Sequence, residues 1–217
     1  MSERFAKKWE TRREEQPFTN RIKEAVKPPG PLKPRLDFAV RRIELQVQKL
    51  DQATDRFGQR DKTIFARIVD AYTKHDTARA NVFANELAEI RKMERLIINA
   101  RLALEQIVLR LKTVTELGDM VGALAPIVGV LRTIKGSIVG VLPDAGKELE
   151  QIGTMLNGII MDAGQTTGLT LNFDTANEDA RSILTEAATV AEQKMKDQFP
   201  ELPSATPVSA NKAEGKT

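Results

Sequence analysis

Apolar residues between positions 36 and 71 return every three or four residues. Leu36, Val40, Ile43, Val47, Leu50, Thr54, Phe57, Asp61, Ile64, Ile68 and Ala71 form one row, interrupted only by Thr54 and Asp61 on either side of Gly58. Strand alternation has a period of two and cannot give these steps. The row therefore predicts an amphipathic helix over Leu36–Thr73, weakest near Gly58. A second row, Phe83, Leu87, Ile90, Ile97, Leu104, Val108 and Leu111, is widened by Met93, Leu96, Ala100 and Ile107 and predicts a helix over Ala78–Thr115. The polar turn Lys74-His75-Asp76-Thr77 separates them, with Asp76 or Thr77 placed to cap the second helix. Two helices of nearly equal length joined this briefly fold back as an antiparallel hairpin about 57 Å long.

Helix breakers then mark the rest of the chain. Pro28, Pro29, Pro31 and Pro34 form one linker, and Pro200, Pro203 and Pro207 mark a tail. Ten of the 13 glycines fall between Gly118 and Gly168, so glycine is concentrated where the hairpin ends. Gly118, Gly122, Gly129, Gly136 and Gly140 predict a stretch of tight packing or an adaptable hinge. A shorter helix is expected over Asp144–Ala163, opened by Pro143 and faced by Leu149, Ile152, Leu156, Ile159 and Ile160. Residues 165–177 are polar and read as a linker. Thr175 and Glu178 form a capping box for a last helix ending near Phe199. Its apolar face, Ile183, Leu184, Ala187, Ala188, Ala191 and Met195, is narrow and mostly small, which suits reversible docking. The expected fold is all-α, with shorter helices packed at the open end of a long antiparallel hairpin. Four segments follow: a basic leader and Pro-rich linker (1–34), a core of the helical hairpin plus third and fourth helices (35–164), a linker and regulatory helix (165–199), and a disordered tail (200–217).

Composition removes several classes of function. There is no Cys and a single His, His75, so disulfide frameworks, thiol catalysis and His-rich metal sites are excluded. No phosphate-binding loop, dinucleotide glycine fingerprint, zinc-protease or serine-hydrolase motif is present. Glu148 and Glu150 project from different sides of their helix and cannot act as a pair. Glu86, Glu89 and Glu94 alternate with Arg91, Lys92 and Arg95 as on a solvated, salt-bridged helix face. These residues predict no enzyme and no cofactor. The longest uncharged run, Met120–Leu131, is 12 residues, short of the ~20 that a spanning helix needs. With a charged amino terminus and no signal peptide, the chain is expected to be soluble and cytoplasmic.

Charge changes the picture further. The net charge is only +3. Residues 1–42 hold 12 Lys/Arg against 6 Asp/Glu, whereas residues 113–217 hold 8 against 14. The front is basic and the back acidic, so a polyanion should meet the front, or the two halves should meet each other. Phe5 and Trp9 are i,i+4 partners set among Arg4, Lys7, Lys8, Arg12 and Arg13, a pattern suited to the headgroup layer of an anionic membrane. Arg35, Arg41 and Arg42 are the next candidates for that contact. No base-reading or stacking motif accompanies the charge, so no nucleic acid partner is expected. Leu45, Phe65, Val69, Leu96 and Ile107 lie beyond the hairpin seam. The later helices have narrow faces, so part of this surface is expected to be buried between parallel neighbouring hairpins in a filament.

The run Ala78-Arg-Ala-Asn-Val-Phe-Ala-Asn-Glu-Leu-Ala-Glu-Ile-Arg91 resembles the ESCRT-III fold family, in particular its archaeal cell division protein B (CdvB) branch. So does the late segment Ile183-Leu-Thr-Glu-Ala with Ala191-Glu-Gln-Lys-Met195, ending in Phe199-Pro-Glu-Leu-Pro203. The resemblance covers roughly residues 32–203. It implies a non-enzymatic subunit that polymerises with itself and with paralogous ESCRT-III subunits on membranes, constricting necks in archaeal cell division or vesicle budding. It also implies remodelling by an AAA ATPase with an MIT domain (CdvC-like), for which Pro200, Leu202 and Pro203 are the nearest match to a gripping motif. The chain stops at Thr217 without the winged-helix segment that binds the CdvA adaptor in some members, so contact with CdvA is expected to be indirect. The charge gradient and the narrow face of the last helix give a further expectation: the acidic back half folds onto the basic hairpin and keeps the subunit soluble, with the last helix autoinhibitory through Ile183, Leu184, Ala187, Ala191 and Met195. Competing readings are a phage-shock-type membrane-stress protein, which shares the superfamily hairpin, and a coiled-coil adaptor without membrane activity.

Overall fold

The first helix begins four residues earlier than its apolar row predicts. In the computed structural model, which describes residues 31–114, 117–167 and 173–199, α1 spans Leu32–Thr73. Pro34 falls in its first turn, where backbone N–H groups have no intrahelical acceptor, so proline is tolerated there. Helix α2 spans Thr77–Thr113. The Asp76 carboxylate caps it by accepting the Arg79 backbone N–H at 3.0 Å. His75 reverses the chain in the left-handed region, at φ 57°. Cross-helix pairs fix the antiparallel register: Arg101 with Asp51 at 3.2 Å and Arg60 with Glu86 at 2.9 Å.

The glycine-rich stretch is a helix. α3 runs Leu117–Ile138 and carries Pro126 in its interior, so Gly118, Gly122, Gly129 and Gly136 all lie within one helix and only Gly140 falls in the turn that follows. A side chain added at Gly122, Gly136 or Gly140 would meet nothing within 4 Å, which corrects the expectation of close packing at those three positions. The apolar row Leu124, Ile127, Leu131, Ile134 and Ile138 is buried and holds the helix together despite its glycines. Helix α4, Pro143–Thr167, is four residues longer at its end than expected. Helix α5 spans Phe173–Gln198 and begins before Thr175, so Thr175 lies inside the helix and is not its cap. Of the expected linker at 165–177, residues 165–167 and 173–177 are helical, and 168–172 lie outside the described residues.

Helices α3 and α4 form a second antiparallel pair, tied by Lys135 and Glu150 at 2.9 Å. α4 lies along α1, while α5 packs on both α2 and α3. The order α1, α2, α5, α3, α4 therefore closes into a ring around the core at the open end of the hairpin. Ile43, Leu50, Leu104, Ile107, Leu131, Leu149 and Ile152 are fully buried there. The turn end keeps a small core of its own, Ile64, Ile68, Leu87 and Ile90, flanked by Phe57, Phe65, Tyr72 and Phe83.

Candidate functional site

Between these two cores the hairpin carries a layer of buried charge. Asp61, one of the two breaks in the α1 row, is only 2 % exposed. Arg91 of α2 meets it with Nε donating to Oδ2 at 2.6 Å and Nη2 to Oδ1 at 3.4 Å. One turn further along α2, Glu94 is 1 % exposed. Its Oε2 has no hydrogen-bond partner among the described residues. Gly58 lies opposite it: a Cβ there would be 3.5 Å from Glu94 Oε1, an ordinary van der Waals contact. Burial, reinforced by the neighbouring Asp61 charge and only partly offset by Arg91, pushes the Glu94 carboxyl up to about 7. This overturns the expectation that Glu94 and Arg91 belong to a solvated face; Glu89 and Lys92, 3.9 Å apart, do lie on one.

The end of α5 closes over this layer. The Phe199 ring sits 5.2 Å from the Arg91 guanidinium carbon, a cation–π distance. Upstream, Ile183, Ala187, Ala191 and Met195 are buried in the main core, and Leu184 and Phe199 are partly buried against it. Burying Ile183 and Met195 contributes roughly 1.5–3 kcal/mol each, and the alanines much less. The contact is one of small side chains along most of its length.

The basic candidates separate into two groups. Arg4, Phe5, Lys7, Lys8, Trp9, Arg12 and Arg13 lie outside the described residues, as do Pro200, Leu202 and Pro203. Arg35 is ion-paired with Asp162 of α4. Arg42 donates to Glu148 at 2.6 Å and to Gln151 at 2.7 Å. In this conformation those two arginines hold the acidic fourth helix onto the basic first one and are not free for a membrane. Arg41 alone of the three is exposed, beside a groove of about 710 Å³ where α1 begins and α2 ends.

The expected filament contacts also divide. Leu45 is 53 % exposed and Val69 43 %. Phe65 and Leu96 are half-buried. Ile107 is fully buried in the main core and is removed from the candidate surface. Phe38 and Leu109, at 55 % and 66 %, are exposed apolar positions that the sequence rows did not single out. Among the described residues no group of His, Asp or Glu is arranged to hold a metal ion. No helix among them is long and apolar enough to cross a membrane.

Asp61 was legible as a break in the α1 row, Glu94 and Arg91 as part of a solvated face and Phe199 as the end of the last helix, and the four were not brought together, yet a signal was present. The α2 row steps from Ile90 to Ile97 and from Ile97 to Leu104, and the skipped heptad positions are Glu94 and Arg101. In an antiparallel hairpin those gaps fall opposite the breaks in the α1 row, so a polar layer is legible once the register is known.

No protein-family model and no solved structure matches this chain. Among characterised proteins it is 42 % identical over 205 residues to Cell division protein B1 of Sulfolobus acidocaldarius, covering 94 % of this chain and 92 % of that one. It is 34 % identical over 162 residues to Cell division protein B of the same organism, covering 75 % of this chain and 62 % of the other. The helical hairpin, the helices at its open end and the near full-length identity agree: the chain belongs to the cell division protein B (CdvB) family of archaeal ESCRT-III proteins.

Proposed function

We infer that this chain is a structural subunit of an archaeal division or budding machine, assembling into filaments on the cytoplasmic face of the membrane and narrowing the neck beneath it. The observation that carries this reading is the identity to Cell division protein B1 over almost the whole of both chains. Exposed apolar residues along the hairpin, Leu45 and Val69 among them, supply a surface that the subunit's own core does not use. The leader supplies a membrane contact through Phe5 and Trp9 and the basic residues around them. Docked α5 holds the subunit closed, and its release frees the hairpin for neighbours: the same chain, paralogous subunits, and an MIT-domain ATPase at the tail.

Vesicle sedimentation with electron microscopy tests this reading. The wild type should pellet with anionic vesicles and decorate them with filaments. Leu45→Asp with Val69→Asp should still pellet but form no filaments, and Phe5→Ser with Trp9→Ser should pellet poorly. A wild type that ignores anionic vesicles and forms no filaments on them would overturn the proposal and favour a coiled-coil adaptor.

A further inference from the structure

A buried acid sits unused at the centre of the hairpin. Glu94 and Asp61 share one guanidinium, that of Arg91. Both carboxyls are almost completely buried, at 1 % and 2 % exposure. Arg91 is already paired with Asp61, so ionising Glu94 adds a second buried negative charge beside that of Asp61. The side of the layer nearest α5 is covered by Phe199, whose ring lies on Arg91 and whose backbone N–H closes the helix on the Met195 carbonyl at 3.1 Å. Lifting that ring admits water to the polar layer between the hairpin's two cores.

We propose that Asp61, Arg91, Glu94 and Phe199 form a proton-linked latch, in which docking of the end of α5 takes up a proton on Glu94 and ionisation of Glu94 releases it. The groups acting on Glu94 support that assignment. From α1 the charged neighbour is Asp61, and from α2 it is Arg91; burial outweighs both and pushes the carboxyl up to about 7. At the end of α5, Glu192 and Lys196 bond to each other at 3.0 Å, and Glu192 also feels Arg95 of α2. They contribute no charge that would hold Glu94 ionised. Closing the layer therefore raises the proton affinity of Glu94. By linkage, protonation favours the closed form and a rise in pH through neutrality favours release. The latch rests on the reading of α5 as an autoinhibitory helix and adds what sets its position.

The chain contains no Cys, so a Val82→Cys, Val190→Cys pair at two exposed positions on α2 and α5 can carry donor and acceptor dyes in the full-length protein. Energy transfer should fall as pH is raised from about 5 to about 9 and recover on return. Glu94→Gln should hold transfer high throughout. The Glu94 side-chain carbon resonance should titrate near neutrality in the wild type and move toward the ordinary carboxylate range in Phe199→Ser. Transfer that does not change with pH, a Glu94→Gln protein that follows the wild-type curve, or a Glu94 titration indifferent to Phe199→Ser would each overturn the latch. If Glu94→Gln does not fold, the wild-type transfer curve and the Phe199→Ser titration still decide. Filament formation in the same samples separates the two ideas. Dyes that part with pH while assembly stays constant keep the latch and sink autoinhibition. Assembly that responds to removal of α5 while the dyes never move sinks the latch alone.

Discussion

In Glu94 a carboxyl with an ordinary value of 4.5 is pushed up to about 7 by burial, with Asp61 adding to the effect and Arg91 opposing it. The folded state thus holds this proton more tightly than the unfolded chain does. Its contribution to stability is complete below the ordinary glutamate range and is lost as pH rises to about 7 and beyond. Glu94→Gln keeps a neutral group there at every pH. It should match the wild type near pH 4 and exceed it by about 3 kcal/mol near pH 8 in urea unfolding. A pH dependence identical in the two proteins would remove Glu94 as its source. Burial also decides what a charge does elsewhere on the hairpin. Ile107 is fully enclosed and Leu45 is half exposed. Ile107→Asp should cost more than 3 kcal/mol and lose helical circular dichroism on mild heating, whereas Leu45→Asp should leave the melting curve within about 0.5 kcal/mol of the wild type.

Helix α3 is the element where local preference and packing conflict most. Glycine disfavours a helix by roughly 1 kcal/mol relative to alanine, and Pro126 removes one backbone hydrogen bond. Burial of Leu124, Ile127, Val130, Leu131, Ile134 and Ile138 overrides both. At Gly122 and Gly136 no neighbour would obstruct a methyl group. Gly122→Ala and Gly136→Ala should therefore each stabilise the closed subunit by about 1 kcal/mol in thermal unfolding. If the stretch bends during assembly, the same variants should also slow filament growth. Helix α5 presents the opposite case, a well-formed helix with a shallow contact. α4 continues to Thr167 and buries Ala163, so a truncation that removes α5 belongs within residues 168–172 and not after Gly164. Such a chain should assemble at lower concentration than the full-length protein in light scattering. A truncated chain that stays monomeric where the full-length protein assembles would argue against α5 as a restraint.

Across the whole molecule the charge gradient is partly consumed by the fold itself. The acidic α4 is held on the basic α1 through Arg35 with Asp162 and Arg42 with Glu148, both half-buried. Such pairs hold two helices in register more than they add stability. In this conformation they also engage Arg35 and Arg42, so the prediction for vesicle binding is made on the leader. Vesicle binding should accordingly split by salt. Replacing Arg4, Lys7, Lys8, Arg12 and Arg13 with Glu should weaken binding several-fold at low ionic strength, with the difference fading as screening shortens to about 3 Å near 1 M salt. The loss caused by Phe5→Ser and Trp9→Ser should persist, because apolar insertion does not depend on counter-ions. Co-sedimentation across a salt series distinguishes the two.

The two heptad rows were sufficient to specify the hairpin, its turn and its antiparallel sense, because a period of three and four admits one secondary structure and Lys74 to Asp76 leave room for one reversal. The apolar row of α4 and the Ala-rich face of α5 were legible for the same reason. A third helix was expected in the core but its bounds at 117–138 were not legible, since Gly118, Gly122, Gly129, Gly136 and Pro126 argue locally against what burial against α2, α4 and α5 enforces. Nor was the fate of Ile107, Arg35, Arg42 or Glu94. A side chain's position along a row says which face it is on, and only the neighbouring helix decides whether that face is solvent, core or an ion pair. Asp61 and Glu94 were visible as breaks in two separate rows, but their meeting required the register, which the fold sets by bringing two helices together in one layer.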